Sequence, residues 1–249
     1  MDEKGELIMS AKKIDSNYSW QSIFHEYFIK SINEKPLTTS NPGPFISISR
    51  EFGCIANNIA QKLSIELSKS IENKGKKKEW KWINKEILIE SAKALNLKPE
   101  KIEYVFLSRQ KSAMDEFVSA MTTKYFKSDK AIRKTITNVI RSILSDGNVI
   151  IVGRGGVSFG NKIPRSIHIK LIAPLDWRVQ RISKNYKMET AEAEKHIRKV
   201  DTERKQLVDS FFQKETDNSI FDLIFNRKTV SEDHIIKTII ELSKIKKII

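Results

Sequence analysis

The most constraining feature of this chain is a run of four β-branched aliphatic residues, Val149-Ile150-Ile151-Val152, that stops at Gly153-Arg154-Gly155-Gly156. β-Branched residues favour extended backbone. An unbroken apolar run without polar alternation marks a strand covered on both faces, which is the situation of a strand inside a parallel sheet. Three other short segments read as strands: Phe45 to Ser49, Ile167 to Ile172, and Phe221 to Phe225. Helical patterns separate them. The expected fold is therefore α/β, a parallel sheet with helices on both faces.

The helical patterns are regular enough to place. Ile55, Ile59, Leu63, Leu67 and Ile71 recur every four residues and form one buried stripe behind the first strand. Ser128-Asp129 caps a helix whose apolar face is Ile132, Ile136, Val139, Ile140 and Ile143, and Gly147 closes it. Leu175 to Lys187 reads as a helix, Glu189 to Phe212 as a long charged one, and Ser231 caps the last, Ile235 to Leu242. From Trp80 to Phe126 the pattern reads as helical throughout, with Lys98-Pro99-Glu100 marking a helix start, so a helical insertion is expected at 80–127. Asn41-Pro42-Gly43-Pro44 separates an N-terminal extension, 1–44, from a domain spanning 45–249. The extension carries one amphipathic helical stretch, Trp20 to Ile32.

Composition removes several classes of function. A single cysteine, Cys54, leaves no disulfide framework and no cysteine-built zinc site, and the four histidines lack metal-ligand spacing. No apolar stretch approaches the roughly 18–20 residues of a membrane span, and the first residues lack the pattern of a secretory signal, so a cytoplasmic protein with no membrane partner is expected. The formal charge is +14, from 45 Lys+Arg against 31 Asp+Glu. Such a surplus suits nucleic acid or small anions. Lysine is spread along the chain, however, and its one dense cluster, Lys74 to Lys85, has only Trp80 and Trp82 beside it, which disfavours a nucleic-acid groove. His168 is expected to face a polar helix or solvent, and Cys54 to be a small packing residue. The oligomeric state is left open.

In open parallel sheets, ligands lie beyond the carboxyl ends of the strands. The first such loop is Ser49-Arg50-Glu51-Phe52-Gly53-Cys54-Ile55-Ala56-Asn57-Asn58. A strand-to-helix loop presents N–H groups and the positive end of a helix dipole, for which phosphate is a natural guest. Only Gly53 remains of the glycines of an ordinary phosphate loop, and no lysine stands there. A plain turn is the alternative reading. Further along, Arg178 and Arg181 are three apart on a helix that starts at the same edge, and Arg198, Asp201 and Arg204 recur three apart on the next. Guanidinium forks hold phosphate oxygens bidentately. An ion-paired solvated face is the alternative for these.

The order of these segments resembles the cytidylate kinase-like family, relatives of bacterial cytidylate kinase. The resemblance rests on Ile46-Ser47-Ile48-Ser49-Arg50-Glu51-Phe52-Gly53, on Ile150 to Gly155, on Ala173 to Arg181, on Phe221 to Asn226, and on Trp82 to Leu88, covering about 45–245. It implies a P-loop kinase-like three-layer fold that transfers the γ-phosphoryl group of ATP, with Mg2+, to a nucleoside monophosphate, CMP or dCMP by analogy. By the same resemblance Ser49, Arg50, Gly53, Cys54, Asn57 and Asn58 hold the ATP phosphates, and Lys85, Arg154 and Gly155 meet the acceptor. Arg178, Arg181, Arg198 and Arg204 steady the transferring group while Asp201 orients a lid arginine, the lid spanning 184–215. Glycines of the family loop are replaced here by Ile55 and Ala56, and a charged pair by Asn57 and Asn58. The alternative is therefore a protein of the same fold that binds nucleotide without turning it over; nucleic-acid binding is the least favoured.

Overall fold

The computed structural model describes residues 43–72, 79–84, 140, 143–160 and 163–249. The expected N-terminal extension, the helices of the insertion, Lys85 and most of the lysine cluster lie outside the described residues. Five strands are described: β1 (Phe45–Arg50), β2 (Lys81–Ile83), β3 (Val149–Val152), β4 (Ser166–Ile172) and β5 (Leu223–Asn226). They form one sheet in the order β2-β3-β1-β4-β5, and every pairing is parallel. All four residues of β3 are buried, as the unbroken apolar run requires.

One face of the sheet carries the main core. Ile46 and Ile48 of β1, Ile150 and Val152 of β3, and Ile167, Ile169 and Leu171 of β4 point to it, as alternation along each strand dictates. Helix α1 (Asn57–Glu72) lays Ile59, Leu63, Leu67 and Ile71 on this face beside the closing helix, which runs Glu232–Ile245. Ser231 caps the closing helix by accepting a hydrogen bond from the His234 N–H.

The opposite face is different in kind. Phe45 and Ser47 of β1 and His168 of β4 turn towards α2 (Gly156–Gly160), a helix of only five residues. His168 is a correction to the sequence reading of a polar helix or solvent: it is 6% exposed and packs against the Gly160 end of α2. Its Nδ1 lies 2.8 Å from Ser47 Oγ and its Nε2 3.1 Å from Ser166 Oγ. Ser166 donates its own proton to the Ile163 carbonyl at 2.7 Å, so it accepts from Nε2–H, and Nδ1 is left to accept from Ser47. Burial pushes the His168 imidazole below its ordinary pKa of 6.5; Lys246 adds to this and Asp222 opposes it. The ring is neutral and fully bonded.

Two boundaries also depart from the sequence reading. Helix was expected from Trp80 onward, yet Lys81–Ile83 is a strand paired with β3. Three residues are too few to show any period. Position is set instead by Trp80, whose N–H donates to Ser68 Oγ at 2.8 Å and whose ring is buried in the core. The last strand was expected at Phe221 to Phe225 and occupies Leu223–Asn226. Asp217 accepts from the Ser219 N–H to fold a 3-10 turn over Asn218–Ile220, and Asp222 uses its carboxylate on the His168 N–H at 2.7 Å, so pairing starts later.

After β4, helices α3 (Leu175–Tyr186) and α4 (Thr190–Phe212) fold against each other. Val179 and Ile182 of α3 and Ala193 and Ile197 of α4 form a second small core. Its remaining buried member is Phe52, from the loop after β1. That one aromatic ring ties the first loop to the helical pair. The closing helix Glu232–Ile245 is α5.

Candidate functional site

The strand order fixes where a ligand site can form. The chain leaves β1 towards β2 on one side and leaves β3 towards β4 on the other, so the connections diverge between these two neighbours and open a crevice at their carboxyl ends. The Gly153 N–H donates to the Ile48 carbonyl at 2.9 Å, holding the two loops together. Gly153, Arg154 and Gly155 then take φ of +72°, +55° and +67°. Glycine adopts this region freely, whereas a side-chain-bearing residue is strained by about 1–2 kcal/mol there. At Gly153 a Cβ would overlap the Arg50 guanidinium, and at Gly155 it would stand 2.6 Å from the Phe211 ring. The turn therefore brings Arg50 across the backbone of β3's loop and holds Arg154 in a left-handed conformation beside it.

These arginines line a cavity of ≈ 210 Å³ with Lys170, Arg204 and Lys205. Leu207, Val208, Ile220 and Phe221 supply an apolar side. Lys170 donates to Asn218 Oδ1 at 2.8 Å and lies 5.6 Å from the centre of the Phe221 ring. Asp209 pins the far wall: its Oδ1 accepts from the Thr216 N–H at 2.9 Å and from the Thr216 hydroxyl at 2.7 Å, while Lys205 bonds both carboxylate oxygens. Burial alone would raise this carboxyl's pKa, but the Lys205 and Thr216 bonds outweigh it and hold the group below 3.8.

From the cavity wall inward runs an ionic cluster built on one buried arginine. Arg178 is 7% exposed. Its Nε donates to the Ala173 carbonyl at 3.0 Å, and its Nη1 to the Phe52 carbonyl at 3.2 Å and to Asp201 Oδ2 at 2.5 Å. Glu51 stands 3.4 Å from Arg178 Nε and accepts from the Ala173 N–H at 3.0 Å. The other Asp201 oxygen accepts from the Phe52 N–H at 2.6 Å. Both backbone groups of Phe52 are thus bonded to one ion pair. One turn beyond Asp201, Arg204 donates to the Arg50 carbonyl at 3.2 Å, and its guanidinium sits 5.4 Å from the centre of the Phe52 ring.

The structure brings six of the sequence-derived residues to the cavity: Ser49, Arg50, Arg154, Gly155, Asp201 and Arg204. Arg178 lies behind it and spends Nε and Nη1 on protein. Arg181 is half-buried with its guanidinium 5.4 Å from the Trp177 ring, and Arg198 is exposed and paired with Glu194. Gly53, with φ +91°, packs against Arg178 and Ile182, and Asn57 and Asn58 stand exposed at the start of α1. The Cys54 side chain is in the main core at 1% exposure, where burial first and the Glu51 charge second push its thiol up to about 12. A buried thiol offers nothing to a phosphate.

Sequence reasoning passed over Glu51, Phe52 and Lys170. Glu51 and Phe52 sit inside the loop already singled out, and their parts depend on Asp201 and Arg178, 149 and 126 residues away. Lys170 was readable only through strand alternation, which puts it on the same face as His168.

Known proteins share the fold. A crystal structure of an uncharacterized protein from Eubacterium ventriosum is similar, with a TM-score of 0.56, 20% identity, and coverage of 81% of this chain and 98% of that one. Shikimate kinase from Bacteroides thetaiotaomicron aligns over 81% of this chain and 98% of its own, at 14% identity and a TM-score of 0.43. None of the curated proteins matches. The profile of the cytidylate kinase-like family matches residues 45–229. With a parallel sheet in the order β2-β3-β1-β4-β5 and arginines gathered at its β1/β3 crevice, the chain belongs to the cytidylate kinase-like family.

Proposed function

We propose that this protein binds a phosphorylated nucleoside in the cavity at the β1/β3 crevice and acts as a nucleoside monophosphate kinase, CMP or dCMP being the acceptor by analogy with the family. One observation carries the reading: Arg50, Arg154 and Arg204, from three separate elements, line one cavity at the ligand edge of a parallel sheet. Phosphoryl transfer asks a protein mainly for positioning and for positive charge on the phosphoryl oxygens. Guanidinium groups in a partly enclosed cavity meet both needs. The apolar side formed by Leu207, Val208, Ile220 and Phe221 suits the nucleoside end of such a molecule and excludes water from it.

The family implies ATP and magnesium. An anionic group fits the residues present, since Arg50 and Arg204 flank the loop after β1 and α1 begins directly behind it. ATP, when bound, supplies the γ-phosphoryl group; Arg50 and Arg204 would hold its phosphates, and Arg154 the acceptor's. Magnesium riding on a nucleotide needs only one or two protein oxygens. The carboxylates beside the loop, Glu51 and Asp201, are both engaged by Arg178, and no group of three acidic, histidine or cysteine ligands occurs among the described residues. Magnesium, when bound, would therefore be held chiefly by the nucleotide's own phosphate oxygens.

A second reading has its own observation. The Phe52 N–H, a donor of the phosphate loop, is already bonded to Asp201, and the loop carries no lysine. Such a loop suits a protein that binds nucleotide without turnover. The test is ADP formation with ATP and each nucleoside monophosphate in turn. The kinase reading predicts turnover with at least one acceptor, lowered about a hundredfold or more in Arg204→Gln. Absence of turnover with every acceptor, alongside calorimetric binding, would leave the binding reading in its place.

A further inference from the structure

We propose that Arg178 is a positioning residue for this site, not a contact to phosphate: through Asp201 and the Phe52 backbone it sets the places of Arg204 and Arg50 in the cavity. The inference rests on the nucleotide-binding reading above and names a device within that same site.

The connection from Arg178 to the cavity runs through bonded neighbours. Arg178 is buried, and its fork is used on the Ala173 carbonyl, the Phe52 carbonyl and Asp201. An arginine so placed has its charge directed at protein. Asp201 in turn accepts from the Phe52 N–H, so the peptide groups on both sides of Phe52 are fixed by the one Arg178–Asp201 pair. The Phe52 ring is then held in the small core between α3 and α4, in edge contact with His196 at 5.0 Å. On that ring lies the Arg204 guanidinium. Arg204 closes the chain by donating to the carbonyl of Arg50, whose own guanidinium lies across Gly153. The links join α3 to α4 and to the first loop, α4 twice to the first loop, and the first loop to β3's turn.

Lysine cannot replace this arginine. A lysine at 178 keeps the charge near Asp201 but loses the planar fork that reaches Ala173, Phe52 and Asp201 together. Gly53 is part of the same fit, since a Cβ there would stand 3.3 Å from Arg178 Cβ at a φ of +91°. Glu51, two residues before it, screens the buried cation from the other side.

The test is a double-mutant cycle on the full chain, read by calorimetry with CMP and with ATP, using Arg178→Lys, Arg204→Gln and the double variant. Positioning predicts that each single change weakens binding about tenfold and that the double variant is no weaker, within about twofold, than Arg204→Gln alone. Independent contributions, multiplying in the double variant, would overturn the proposal. A second measurement needs no nucleotide: the rate at which phenylglyoxal modifies Arg204, followed by mass spectrometry. Arg178→Lys and Asp201→Asn should each raise that rate severalfold, while unchanged rates in folded variants would overturn the proposal. If the wild-type chain binds neither CMP nor ATP, the nucleotide reading falls, and the phenylglyoxal rates still decide whether Arg178 positions Arg204.

Discussion

At the scale of single residues, one glycine of the site and two buried side chains outside it have chemistry that can be tested one at a time. Gly153→Ala would put a methyl group on the Arg50 guanidinium at a φ of +72°. We expect nucleotide affinity to fall about tenfold and stability by about 1–2 kcal/mol, measured by calorimetry and by urea unfolding. Cys54 should resist alkylation at pH 7 in the folded protein and react only on unfolding, because its thiol is pushed up to about 12 by burial. A thiol titration with and without denaturant checks this. His168 is held neutral below its usual 6.5, so the unfolded chain takes up a proton that the folded one refuses. Its contribution to stability is complete above pH 6.5 and is lost as pH falls below it. Urea unfolding between pH 5 and 7 should show stability rising with pH, and His168→Gln should flatten that slope. Of these residues the sequence exposed the glycines of the 153–156 turn, because a strand ended there. Arg178 was visible as an arginine at the ligand edge, but its inward direction was not, since that depends on an aspartate on another helix.

The elements that build the cavity differ in how they are anchored. α4 is joined to the segment after it by Asp209, which gathers Lys205 and both polar groups of Thr216. Asp209→Ala removes four charge-assisted bonds and leaves Thr216 buried, so we expect a loss of about 2–3 kcal/mol. Faster amide exchange across 213–221 should accompany it. The carboxylate's contribution is present above pH 3.8 and is lost as pH falls below that value, the folded pKa being the lower one. Element by element, the strands and helices with a long period were legible. Ile59, Leu63, Leu67 and Ile71 gave α1 its face, and the apolar run of β3 announced a doubly covered strand. β2 was missed because Lys81–Ile83 is a strand through its pairing with β3 and through the anchoring of Trp80, neither of which leaves a local pattern. β5 began two residues late because Asp217 and Asp222 spend their side chains on a turn and on a neighbouring strand.

For the molecule as a whole, the formal charge of +14 now divides into surface and site. Arg50, Arg154, Lys170, Arg204 and Lys205 line the cavity with the carboxylates Glu51, Asp201 and Asp217, and two of those carboxylates face Arg178. The cavity therefore presents a local cationic surplus of a size that suits one phosphorylated molecule. A long polyanion needs an extended basic track instead. Any binding of single-stranded RNA or DNA should accordingly be non-specific and lost as salt rises to physiological strength, checked by fluorescence anisotropy. The parallel topology was legible because alternating strand and helix patterns admit few arrangements. So was the placing of Arg50, Arg154 and Arg204 at one edge of the sheet, through the loops after the strands and the family resemblance; that Arg181 and Arg198 stay out of the cavity was not, because it depends on packing against Trp177 and pairing with Glu194. The most direct test of the account is calorimetric titration of the full chain with CMP and with ATP, in wild type and in Arg204→Gln. The account predicts saturable binding to the wild-type protein, weakened about tenfold by the substitution; no heat with either nucleotide, or equal affinity in both proteins, would contradict it.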